Sequence, residues 1–231
     1  MIAPVIAFDL DGTLVDTAPD LVSTLNVVLH RIGLPSIDYA VGRNLVGGGA
    51  RKMIERGLVA EGRTIPGADL EDLTRQFIEY YAEHIADRSR PFPGVEVTLS
   101  ELAGRGFRLA VCTNKLEWLA VRLLQQLGLT QHFVVICGGD TFRLQKPRPE
   151  PLQGTIARAG GLESRAIMVG DSITDISTGR AAGIPVIAVD YGYSDIPVAE
   201  LQPARVISAF SELSRAVFEV LDGTARVEAA N

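Results

Sequence analysis

Cysteine is scarce in this chain of 231 residues: there are two, Cys112 and Cys137, each inside an apolar segment. That excludes a disulfide framework and fits buried thiols in a reducing compartment, so a cytoplasmic protein is expected. The three histidines, His30, His84 and His132, lie far apart and show no metal-ligand spacing. No apolar run approaches the roughly 18–20 residues of a membrane span, so no membrane partner is expected. Asp9 arrives too early for the apolar stretch of a signal peptide. Positive charge is also short: 22 Lys and Arg stand against 28 Asp and Glu, for a net charge of −6. A nucleic-acid partner would want a basic face, and that class is excluded. Internal repeats and low-complexity segments are absent. What is there is a chain 47% apolar, long enough for one large domain or two smaller ones.

The stretch Val5 to Thr13, VIAFDLDGT, opens as a short apolar run and ends in two aspartates one residue apart. In an extended chain the side-chain period is two, so Asp9 and Asp11 project to the same side. Gly12 and Thr13 break the strand, which leaves both carboxylates at its carboxyl end. Open α/β sheets place their chemistry there. Two like charges so close are costly unless a cation sits between them or one takes a proton.

From about 17 to 90 the chain reads as helices only. Leu21, Leu25, Val28, Leu29 and Ile32 mark the first, with Asp16 or Thr17 as cap, Pro19 in the first turn and Gly33 as stop. Two shorter helices are expected between Asp38 and Leu58, split by Gly47-Gly48-Gly49, and another from Asp69 to about Ala86. After Pro91, Pro93 and Gly94, helices alternate with strands at 107–113, 133–137, 166–170 and 185–189. A short edge strand is expected at 205–207 and a closing helix at 211–221. Alternation of this kind implies a parallel sheet with right-handed crossovers, covered on both faces. The expected fold is therefore α/β, a Rossmann-like doubly wound parallel sheet with an inserted α-helical cap. Residues 1–16 and 91–223 would form the core, 17–90 the cap, and 224–231 a loose tail. Such a cap, tethered twice, is lid geometry, and lids exclude water.

Three later segments end as the first does. The second strand finishes in Thr113-Asn114-Lys115, where hydroxyl, amide and backbone groups can cradle a phosphate or merely cap a helix. Lys146-Pro147-Arg148-Pro149 is a loop stiff enough to aim one lysine. Gly170-Asp171-Ser172 is followed by Asp175 on the next helix, where capping is the plain alternative. Four carboxylates at strand ends would make an expensive anionic cluster without a cation. Hard oxygen donors in small number point to Mg²⁺ with several waters.

The order and spacing of Phe8-Asp9-Leu10-Asp11-Gly12-Thr13, Thr113-Asn114, Lys146-Pro147 and Gly170-Asp171-Ser172-x-x-Asp175 resemble the haloacid-dehalogenase-like hydrolase superfamily. FDLDGTLVDTAPDL, with VGGGA in the cap, most resembles its phosphoglycolate phosphatase branch. The resemblance covers residues from about 3 to 222. It implies a core strand order of 3-2-1-4-5 and a Mg²⁺-dependent phosphomonoesterase acting on a small anionic phosphoester. Asp9 would be the nucleophile and Asp11 the general acid and base. Asp9, the backbone carbonyl of Asp11, and Asp171 would hold Mg²⁺. Thr113, Asn114 and Lys146 would grip the phosphoryl group, with Asp175 behind them. Arg43 and Arg51 flank the three glycines and are candidates for a substrate carboxylate, as Gly47, Gly48 and Gly49 are for close backbone approach. A phosphosugar mutase or a pyrophosphatase shares the core motifs. A phosphonatase would want a cap lysine, and Lys52 is the only one. A non-catalytic scaffold binding a partner in the lid groove is the reading from another class. A monomer or a homodimer fits the sequence equally.

Overall fold

The structure is a computed structural model that describes residues 2–228, with side chains through 222. Strand β1 (Val5–Phe8) leads into a tight turn and β2 (Val15–Asp16). The helices α1 (Ala18–Arg31), α2 (Tyr39–Arg43), α3 (Ala50–Ala60) and α4 (Gly67–Glu83) follow, and β3 (Arg90–Pro91) returns the chain. Then come α5 (Val95–Gly104), β4 (Arg108–Cys112), α6 (Glu117–Gln126), β5 (Val135–Cys137) and α7 (Glu150–Arg158). The chain continues through β6 (Ala166–Gly170), α8 (Ile173–Ala182), β7 (Val186–Val189), β8 (Arg205–Ile207) and α9 (Leu213–Glu228).

The main sheet is parallel throughout, in the order β5-β4-β1-β6-β7-β8. That is the expected 3-2-1-4-5 with the edge strand added. β1 alternates between two apolar layers, as a period of two requires. Ile6 and Phe8 face one side with Leu99 of α5 and Val217 of α9. Val5 and Ala7 face the other with Leu152 and Ile156 of α7 and Ile176 of α8. With both faces covered, the strands are uniformly apolar rather than alternating in polarity.

The helical segment packs onto the first of these layers. Leu25 of α1, Ile54 of α3, and Phe77 and Tyr81 of α4 join the same buried cluster as Phe8, Leu10 and Leu14. Its two connections are joined by an antiparallel pair, Val15 opposite Pro91 and Asp16 opposite Arg90. Asp20, buried at the start of α1, accepts from Ser89 N at 2.8 Å, Ser89 Oγ at 2.7 Å and Arg88 N at 3.0 Å. This small ladder was not expected, because Pro91 reads as punctuation. Gly223 was expected to precede a loose tail, yet α9 continues to Glu228. An isolated glycine weakens a helix by about 1 kcal/mol and need not end it. Residues 229–231 of that expected tail lie outside the described residues.

Candidate active site

The loop after β1 carries the first acidic pair. Leu10 O accepts from Leu14 N at 3.0 Å and Val15 N at 3.1 Å, which folds the chain back at once. Leu10 is buried, so Asp9 and Asp11 on either side of it both line the cavity. That cavity, of about 370 Å³, lies between the carboxyl ends of the strands and helices α3 and α4.

β4 and β6 flank β1, so Thr113 and Asp171 arrive on either side of Asp9. Asp171 is held hard: Oδ1 accepts from Thr13 Oγ1 at 3.1 Å and Oδ2 from Tyr193 N at 2.6 Å. Gly12 has φ of +82°, and a Cβ there would collide with the Asp171 carboxylate. Lys146 is 3% exposed, its Nζ 2.7 Å from Asp175 Oδ1 and 3.0 Å from Asp9 Oδ1. Asp175 Oδ2 accepts from Ser172 Oγ at 2.7 Å, Ser172 N at 3.1 Å and Asp171 N at 3.2 Å. Both oxygens of Asp175 are thus committed to positioning Lys146 and the loop that carries Asp171. Asp175 therefore stands behind Lys146 and the Asp171 loop.

Electrostatics mark the cluster as short of positive charge. Burial, only partly offset by Lys146, pushes the Asp9 carboxyl up to about 6. Burial, then Asp175 and Asp9, push Asp171 well above the usual carboxylate range. Burial alone would lower the Lys146 ammonium, but Asp175 and Asp9 outweigh it and hold the group charged. Asp9 Oδ1 is buried and, despite the nearby ammonium, lacks a hydrogen bond of proper geometry. Carboxylate oxygens of Asp9, Asp171 and Asp175 lie within 4.8 Å of one another. Asp9 and Asp171 line the cavity and Asp175 does not, so these two are the carboxylates placed for a hard cation. Such a donor set suits Mg²⁺, which keeps waters in most of its coordination positions.

One expected contact falls elsewhere, and another has a structural partner as well. Arg43 does not line the cavity. Its Nη2 donates to Tyr191 O at 2.8 Å and Gly192 O at 2.6 Å, and the guanidinium lies 5.0 Å from the Tyr193 ring centroid. It ties the helical segment to the loop after β7. Asn114 does line the cavity, but its amide pairs with the Lys146 backbone: Nδ2 donates to Lys146 O at 3.0 Å and Oδ1 accepts from Lys146 N at 3.1 Å. It thereby fixes where Lys146 stands. Gly47, Gly48, Gly49, Arg51 and Lys52 line the cavity from the other side. At Gly49 (φ +90°) a Cβ would rest 3.5 Å from Asn114 O, so the backbone does come close to the strand-end loop.

Three residues join the site unannounced. Lys115 Nζ donates to both oxygens of Asp11, at 2.8 and 2.9 Å. Tyr81 of α4 lines the cavity beside it. Tyr193 bonds Asp171 through its N–H, and its phenol donates to Asp16 Oδ1 at 2.6 Å while accepting from Thr17 N at 2.7 Å. The directly following position after Thr113-Asn114 was a signal for Lys115. No local pattern announced the two tyrosines.

A model of the haloacid dehalogenase-like hydrolases matches residues 6–189. A phosphoglycolate phosphatase of Mesorhizobium japonicum is 49% identical over 93% of this chain and 94% of its own length. That of Agrobacterium fabrum is also 49% identical, over 95% of this chain and 94% of its own. Among solved structures, one described as a predicted phosphoglycolate phosphatase from Haemophilus somnus superposes with a TM-score of 0.86 at 31% identity, covering 92% of this chain and 97% of that one. The match to the family model spans both the first acidic pair and the Asp171 loop, and the chain belongs to the haloacid dehalogenase-like hydrolase family.

Proposed function

We propose that this chain is a Mg²⁺-dependent phosphomonoesterase whose substrate is 2-phosphoglycolate, cleaved through an aspartyl phosphate on Asp9. The observation that carries the reading is the buried, unsatisfied Asp9 Oδ1 beside Lys146 and Asp171 in a closed anionic cluster. The names of the relatives supply the substrate.

Asp9, the backbone carbonyl of Asp11, and Asp171 would hold Mg²⁺. When bound, it offsets the repulsion between a carboxylate and an anionic phosphoryl group. Lys146 and the Thr113 hydroxyl grip the phosphoryl oxygens, with Asp175 and Asn114 fixing Lys146. In the first half-reaction an Asp9 oxygen bonds to phosphorus and the bond to the ester oxygen breaks. Asp11 gives that oxygen its proton, and glycolate leaves. In the second, Asp11 takes a proton from water as the water oxygen bonds to phosphorus. The Asp9–phosphorus bond breaks and inorganic phosphate departs.

Residues 17–90 serve as the cap, joined to a core of 1–16 and 91–223 through the β2–β3 ladder. Among the described residues no helix is long and apolar enough to cross a membrane. The free, buried Cys112 and Cys137 support a cytoplasmic setting.

The test is phosphate release from phosphoglycolate, a hexose phosphate and pyrophosphate, with Mg²⁺ or with chelator, for the native chain and Asp9→Asn. Turnover of phosphoglycolate is expected, abolished by chelation and by the substitution. Preference for pyrophosphate, or interconversion of the hexose phosphate without release, would replace this reading with the corresponding sister activity. Turnover of nothing would leave a scaffold.

A further inference from the structure

Lys115 is a buried cation that the reaction above does not use. Its side chain is 5% exposed, its backbone N–H donates to Thr113 Oγ1 at 3.2 Å, and its Nζ lies 4.7 Å from the Tyr81 ring centroid. An ammonium carries three donors, and two of them go to Asp11. One donor remains for another acceptor. Tyr81 is itself incomplete. It is 1% exposed and lines the cavity, and its hydroxyl is buried with no hydrogen-bond partner. A buried hydroxyl left unpaired is unfavourable unless a ligand completes it.

Geometry relates this pair to the reaction. An acid at Asp11 must meet the ester oxygen, and Lys115 touches Asp11. In a phosphorylated 2-hydroxy acid the carboxyl carbon is two bonds from that same oxygen. A substrate seated on Asp11 therefore presents its carboxylate beside Lys115. The two arginines that flank the glycines are worse placed. Arg43 is turned onto the loop after β7. Arg51 is half exposed and paired with Glu55. A charge–charge contact is stronger away from water, which favours the buried lysine.

We propose that Lys115 and Tyr81 form the subsite that receives the substrate's carboxylate, the ammonium pairing with one of its oxygens and the phenol donating to it. These two residues, rather than the arginines of the helical segment, set the preference for small phosphoesters with a carboxylate next to the ester carbon. The inference rests on the phosphomonoesterase reading.

Its test compares kcat/KM for phosphoglycolate and for ethyl phosphate, an alkyl ester of like reactivity without the carboxylate. Lys115→Met, Lys115→Arg and Tyr81→Phe are measured alongside the native chain with Mg²⁺ present. The native ratio is expected to favour phosphoglycolate. Lys115→Met should lower that ratio about 10- to 100-fold, the worth of one charged hydrogen bond. Lys115→Arg should restore part of it. Tyr81→Phe removes only the unpaired hydroxyl, so the fold survives, and the ratio should fall a few-fold, mostly through KM. An unchanged ratio in Lys115→Met, or equal losses on both esters, would mean the lysine only orients Asp11 and would overturn the subsite. Native protein that hydrolyses neither ester would remove the phosphomonoesterase reading itself, an outcome distinct from any result on the variants.

Discussion

Asp175→Asn tests the buried scaffold of the site most sharply. Asp175 is fully buried, and its two oxygens face only donors: Lys146 Nζ on one side, Asp171 N, Ser172 N and Ser172 Oγ on the other. An asparagine must turn its NH₂ toward one of these sets, setting donor against donor. It also leaves the 1% exposed Lys146 side chain with Asp9 as its remaining carboxylate. Removing one partner of a buried ion pair costs about 3–5 kcal/mol. At about 2–4 °C per kcal/mol for a chain of this size, the melting point should fall by about 6–20 °C. The assay is urea unfolding and a thermal scan, both with chelator so that no bound cation contributes. Adding Lys146→Met to Asp175→Asn removes the stranded charge and should recover part of the loss. A change below about 1 kcal/mol, or a double variant no better than the single, would refute the claim that Asp175 anchors Lys146.

Three further outcomes follow from the same contacts. Burial raises the Asp9 carboxyl to about 6, above its unfolded value of 3.8, so the folded state holds the extra proton between those values. Metal-free protein should then gain stability as the pH falls from 7 toward 5, and Mg²⁺ affinity should weaken below about 6; calorimetric titration at pH 7.5 and 5.5 giving equal affinity would contradict this. Gly12→Ala places a Cβ against the Asp171 carboxylate from a backbone at φ +82°, so Mg²⁺-dependent stabilisation should disappear, and a native-like melting shift on adding Mg²⁺ would show that Asp171 is not so constrained. Tyr193→Phe leaves Asp16 Oδ1 and the Thr17 N–H without the phenol and should lower stability by about 1–3 kcal/mol in chemical unfolding, whereas an unchanged midpoint would mean this link carries no strain or support.

The sheet was legible because its strands are short apolar runs ending in polar residues. Asp9 and Asp11 do line one cavity with Leu10 buried between them, but they stand on the turn after β1 rather than on the extended strand that period-two geometry assumes. Asp171 and Lys146 stand out only through the family resemblance, since each alone also reads as a helix cap or a surface lysine. What a side chain touches was not legible. Arg43 sits a few residues from the three glycines, but α2 is a separate turn that aims it at the loop after β7. Asn114 carries the right groups for an anion, yet its partner is the backbone of Lys146, far along the chain. Lys115 was legible only as the last residue of a polar strand end, and the fold of α4 over it shows it buried beside Asp11. Tyr193 reaches residues at the opposite end of the sequence, a contact that no local pattern encodes.

The claim that two aspartates divide the chemistry is tested most directly by rapid-quench kinetics of Asp11→Asn with an aryl phosphate. An aryl leaving group needs no acid, so the first half-reaction should proceed, while the second lacks the base that activates water. The backbone carbonyl of residue 11 is unchanged, so loss of metal would not explain a stall. The expected result is a burst of aryl alcohol, then arrest, with an acid-stable phosphoryl group recovered on the peptide containing Asp9. Steady turnover at the native rate, with no burst and no phosphorylated peptide, would contradict the aspartyl-phosphate account.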